Sequence, residues 1–122
     1  MTFVVLRPGD RAEPGWVEAR SVGEVEELAR AGHTVVVTPA RLAPAAVRDA
    51  GDGDDEDAGD SRDSVARERD AEAAELTAAS ICAWAGARVF RTDRVEQVRL
   101  AVEMTDSLAG RRPPALTRRG LA

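Results

Sequence analysis

Few residues of this chain could do chemistry, and each has a plainer structural reading. Cys82 is the single cysteine and lies in the apolar stretch Ile81-Cys82-Ala83-Trp84. A nucleophilic thiol needs a base to ionise it, and no histidine motif accompanies this one, so it reads as a small buried hydrophobe. One cysteine also rules out an internal disulfide and fits a reducing compartment. His33, the single histidine, follows Gly32 at the start of an apolar run. A metal would need a second ligand close by; none is near, so His33 reads as a loop or packing residue. The run Asp52-Gly53-Asp54-Asp55-Glu56-Asp57 has the oxygen donors of a calcium loop. It lacks a glycine at the sixth loop position and an apolar helix leading in, so it supports at most weak, nonspecific divalent-ion association. Arg111, Arg112, Arg118 and Arg119 could touch phosphates, but no nucleic-acid motif or aromatic platform accompanies them. They read as a solubilising tail that salt would screen from the acidic run. No metal, cofactor or nucleic-acid partner is expected.

The elements that must position any site are short. The chain has 122 residues, enough for one domain. Lysine, asparagine and tyrosine are absent and all 17 basic residues are arginine, a bias that reflects a GC-rich genome rather than phosphate binding. Net charge is −5, yet residues 49–64 alone hold eight acids against one arginine, a local −7 that leaves about +2 elsewhere. The low pI therefore reports one loop. No signal-like opening and no apolar run near ~18 residues is present, so a soluble, cytoplasmic protein without a membrane partner is expected.

Three apolar runs stand out: Phe3-Val4-Val5-Leu6, Thr34-Val35-Val36-Val37 and Ala87-Arg88-Val89-Phe90. The first two are nearly continuous rather than alternating, which suits parallel strands covered on both faces. Each precedes a helical pattern. Ser21-Val22-Gly23-Glu24 has capping-box form, Val22, Val25, Leu28 and Ala29 share a face, and Ala31-Gly32 supplies the stop. A middle helix is expected over about 65–86, with Leu76, Ala79, Cys82 and Ala83 inward. The last is expected over 94–109, with Asp93 as N-cap and Val95, Val98, Val102, Thr105 and Leu108 inward. The order predicts an α/β domain over residues 1–109 of three parallel βα units (β-α-β-α-β-α). Its acidic insertion at 51–60 and the Arg/Pro tail at 110–122 are expected to be disordered. Open sheet edges predict self-association or another chain as partner.

In order along the chain, Leu6-Arg7-Pro8-Gly9, Gly32-His33-Thr34-Val35-Val36-Val37-Thr38-Pro39-Ala40-Arg41 and Gly86-Ala87-Arg88-Val89-Phe90-Arg91-Thr92-Asp93-Arg94-Val95 resemble known segments. They look like the last three strand segments of dihydropteroate synthase, the pterin-binding TIM-barrel enzyme of folate synthesis, where the sequences run L-D-P-G, G-x-P-V-L-V-G-x-S-R-K and G-A-x-I-x-R-V-H-D-V. The resemblance implies a partial TIM barrel with its site at the carboxyl ends of the strands. It also implies anion-binding roles for Arg41 and Arg91. At other family positions the chain departs: Arg7 stands where the pterin-binding aspartate would be, Leu42 for the lysine, and Asp93 for the histidine. A guanidinium has only donors and does not replace a carboxylate that accepts from a pterin ring. A carboxylate beside a pyrophosphate site repels it. Arg91 has a plainer reading as an arginine paired with Asp93, Arg7 as a solvated loop residue.

The expectation is therefore a dihydropteroate synthase-like protein, non-catalytic alone, with no catalytic residues of its own. It would be a homodimer or bound to another chain through helices 65–86 and 94–109, since the resembled family dimerises through its late helices. Two alternatives follow: a component completed by another chain that binds a pterin or phosphate near Arg41 and Arg91, or an adaptor whose acidic residues 51–60 recruit a basic protein.

Overall fold

The computed structural model describes residues 2–43 and 61–110. The acidic segment 51–60 and tail residues 111–122 lie outside the described residues. Strands β1 (Val4–Leu6) and β2 (Val17–Glu18) come first, followed by helix α1 (Val22–Arg30), strand β3 (Val35–Val37), helix α2 (Ser61–Ala85), strand β4 (Val89–Arg91) and helix α3 (Val95–Leu108). Among the described residues these strands make one all-parallel sheet in the order β1-β4-β3-β2. The chain is thus α/β, with four strands where three were expected.

The additional strand changes the unit boundaries. α1 follows β2, not β1, so the consecutive units are β2α1, β3α2 and β4α3, each strand beside the next. β1 pairs with β4, Val5 opposite Phe90, instead of lying beside β3 as the first of three sequential units would. β2 escaped the sequence reading because two residues, Val17-Glu18, give no periodicity to detect. Stepping one way through β2, β3 and β4 with right-handed crossovers puts α1 and α2 on the same face.

Local chemistry fixes the helix ends. Ser21 caps α1 by accepting from the Glu24 amide at 3.1 Å, and Glu24 reaches back to the Arg20 amide at 2.7 Å. This is the anticipated capping box with its return bond one residue earlier. At the other end Gly32 takes φ +94 while the His33 amide donates to the Leu28 carbonyl, a glycine-dependent stop. Gly86 ends α2 in the same way at φ +120, and a Cβ there would lie 2.7 Å from the Ala29 Cβ. Only glycine lets α1 approach that end of α2.

Val25, Val35, Val37, Ala79, Cys82, Ala83, Phe90, Val98 and Val102 form the core between helices and sheet. Phe3 adds an edge-to-face contact on Phe90, with centroids 6.3 Å apart. Val36 and Val89 are also buried but point to the opposite face, so the β3 run is covered on both sides as its continuity implied.

Two expectations for α3 are corrected. Leu108 is exposed (75%), because it falls on a stripe with Leu100 and Met104 while the inward stripe runs Val98, Val102, Thr105, Asp106. The buried Asp106 carboxylate stands 3.7 Å from the Arg88 guanidinium. Asp93 does not cap the helix: Arg94 holds the N-cap position without a side-chain capping bond, and it is Thr92 Oγ1 that accepts from the Arg94 amide at 2.9 Å. Among the described residues, no helix is long and apolar enough to cross a membrane.

Candidate functional site

The carboxyl ends of the parallel strands open into a cavity of about 370 Å³. After β3 the chain turns at Thr38-Pro39 into a helical segment over residues 39–43, and the Arg41 amide donating to the Thr38 carbonyl fixes that turn. This brings Arg41 to the cavity from one side. β4 delivers Arg91, Thr92, Asp93 and Arg94 from the other, and β2 contributes Glu18. A neighbouring recess shares Glu18, Thr38 and Arg41 and extends to Arg20 and Leu42.

The floor is polar and internally paired. Glu75 on α2 is buried (2% exposed) and accepts from Thr92 Oγ1 at 2.5 Å and from Arg94 Nη1 at 2.5 Å. The second guanidinium nitrogen of Arg94 pairs with Glu68. Burial acts against the charged form of Arg94, but the bonds to Glu75 and Glu68 outweigh it and raise its pKa above the usual arginine value. Glu75 and Arg94 are therefore consumed by each other. Arg91 Nη1 donates to the Asp10 carbonyl at 3.4 Å. Arg41 makes no side-chain hydrogen bond or ion pair among the described residues. The groups left to meet a ligand are Arg41 and Arg91, facing the carboxylates of Glu18 and Asp93.

Of the residues singled out in the sequence, Arg41, Arg91 and Asp93 line this one cavity and Leu42 lines the adjoining recess. Arg7 lines neither; it is exposed after β1, its amide donating to Asp10 Oδ2 at 2.9 Å. His33 is exposed ahead of β3, at the other end of the sheet. Cys82 is fully buried, and burial pushes its thiol pKa up to about 11. Sequence reasoning missed Glu18, Glu75, Thr92 and Arg94. Glu75 left a usable signal: it lies four residues before Ala79 and seven before Cys82, on the inward face of its helix.

A 47-residue stretch of the chain is 49% identical to proteins named inactive dihydropteroate synthase 2 in Mycobacterium bovis and Mycobacterium tuberculosis. That stretch is 38% of this chain and 15% of those proteins. The likeness is to one segment of them. No family model matches the chain, and no solved structure does either.

Proposed function

We propose that this chain is a dihydropteroate synthase-like protein that does not catalyse alone and works as a self-associated or partner-bound module. The stretch shared with proteins named inactive dihydropteroate synthase 2 supports the first half. One observation carries the second: α2 and α3 expose Ile81, Trp84 (59%), Leu100, Met104 (67%) and Leu108 on adjacent helices. Leu100, Met104 and Leu108 recur every four residues, making one continuous apolar stripe along α3. Large apolar side chains concentrated in this way mark an association surface more often than scattered exposed ones. Sedimentation equilibrium tests it: the protein associates at micromolar concentration, and Met104→Glu with Leu108→Glu yields a folded monomer. A folded wild-type monomer at that concentration refutes it.

A second reading is favoured by the position of β2. Because β2 is the neighbour of β3, Glu18 reaches the mouth beside Arg41. A carboxylate acceptor next to a guanidinium donor is the pairing a pterin ring with a charged tail requires. On this reading the chain is the ligand-binding part of an enzyme completed by another polypeptide. Calorimetric titration with 7,8-dihydropterin pyrophosphate tests it: saturable binding, weakened by Glu18→Gln and by Arg91→Ala, is the expected result, and no heat of binding sinks it.

A further inference from the structure

We infer that residues 7–16, between β1 and β2, form a strap over the face of the sheet opposite helices α1, α2 and α3, latched by Arg91 and released when Arg91 takes an anion. The inference rests on the ligand-binding reading of the mouth. β1 and β2 are the two edges of the sheet and run parallel, so the segment must pass from the carboxyl end of one edge to the amino end of the other. The helices occupy the opposite face, and Trp16 lines a recess with Val4 and Val89 on the strap's side. Val36 and Val89 are buried there.

The strap is longer than its path. Crossing three strand spacings of about 4.8 Å and descending one short strand needs roughly 17 Å, whereas ten residues reach about 33 Å. Its course is thus set by side contacts rather than by chain tension. Within it, the Asp10 amide donates to the Arg7 carbonyl at 2.9 Å and the Trp16 amide to the Glu13 carbonyl at 3.2 Å, which close local turns. Among the described residues, the hydrogen bond tying its tip to the sheet is the 3.4 Å bond from Arg91 to the Asp10 carbonyl. Residues 7–15 are exposed throughout.

A 3.4 Å bond to a neutral carbonyl competes poorly with a phosphate, which carries the opposite charge and accepts two guanidinium N–H groups side by side at shorter distance. Arg41 on the far wall of the same cavity supplies the second contact for such an anion, against the opposing carboxylates of Glu18 and Asp93 that also line it. The anion binds only where Arg91 has left Asp10, so occupancy shifts the strap toward its released state.

Trypsin reads the strap directly, because it cuts after Arg11 but is blocked after Arg7 by Pro8. Cleavage at Arg11-Ala12 is followed by mass spectrometry, normalised to a control peptide, while calorimetry reads pyrophosphate binding separately. Arg91→Ala speeds this cleavage about fivefold in the absence of ligand, the effect of one modest hydrogen bond, and Arg91→Lys falls between. Pyrophosphate speeds it in the intact protein and leaves the Arg91→Ala rate unchanged. Binding without faster cleavage overturns the strap, and so does an unchanged rate in Arg91→Ala. Absence of binding overturns the mouth reading instead, and the Arg91→Ala and Arg91→Lys rates then decide the latch alone.

Discussion

Truncating Glu75 to alanine removes the group on which the floor of the mouth is built. Three elements meet at its carboxylate: α2, which carries it, the end of β4 through Thr92, and the start of α3 through Arg94. Thr92 is buried, so its hydroxyl loses its acceptor where water does not replace it, at a cost of about 1–3 kcal/mol. Arg94 is less dependent. Its side chain is 22% exposed and keeps Glu68, so the full 3–5 kcal/mol of a broken buried pair does not apply and about 1 kcal/mol is a fair share. The total is about 2–4 kcal/mol. Glu68→Ala removes the outer partner of the same guanidinium, on a side chain 69% exposed, and costs less than about 1 kcal/mol. Urea unfolding followed by far-ultraviolet circular dichroism separates the two. With a slope of about 1 kcal/mol per molar for a domain this small, the Glu75→Ala midpoint falls by roughly 2–4 M. Glu68→Ala shifts the midpoint by under about 1 M on the same slope. Equal shifts would refute the claim that Glu75, and not the outer ion pair, holds the mouth together.

Gly86→Ala puts a methyl group 2.7 Å from the Ala29 Cβ at a backbone φ of +120, and a loss of about 2 kcal/mol or more is expected in the same urea experiment. Ser21→Ala removes the acceptor for the Glu24 amide and costs about 1 kcal/mol, whereas Ser21→Asp retains stability. Burial raises the Cys82 thiol pKa from the ordinary thiol value of 9.0 to about 11, so its stabilising contribution is complete below pH 9 and is lost as pH climbs towards 11. Unfolding free energy measured across that window falls by up to about 1.4 kcal/mol per pH unit, and Cys82→Ala flattens the dependence. Alkylation of the native thiol at pH 8 is slow for the same reason, and rapid labelling without unfolding would contradict the buried placement.

Much of the fold was legible because local rules wrote it. The capping box at Ser21, the glycine stops at Gly32 and Gly86, and the inward stripe of Ala79, Cys82 and Ala83 each depend on residues a few positions apart. The continuous valines of β3 announced a strand covered on both faces. Leu108 and Asp106 show where this reasoning stops: both lie at spacings compatible with an inward stripe, and the packing of α3 on the sheet turned Asp106 inward, where Arg88, eighteen residues earlier in the chain, stands 3.7 Å away.

The site was harder to read because its parts come from distant places. Arg41 and Arg91 were singled out separately, but only the pairing of β3 with β4 puts them across one cavity. Glu18 entered with a strand of two residues, too short to leave a pattern, and its neighbour was fixed by a hydrogen-bond ladder rather than by sequence. Sequence by itself determined the helices, the cap and stop of α1 and the apolar runs, since those follow from propensity and periodicity over a few residues. Tertiary structure alone decided the strand order, the company Glu75 keeps and the path of the strap, because these are long-range pairings that no local pattern encodes.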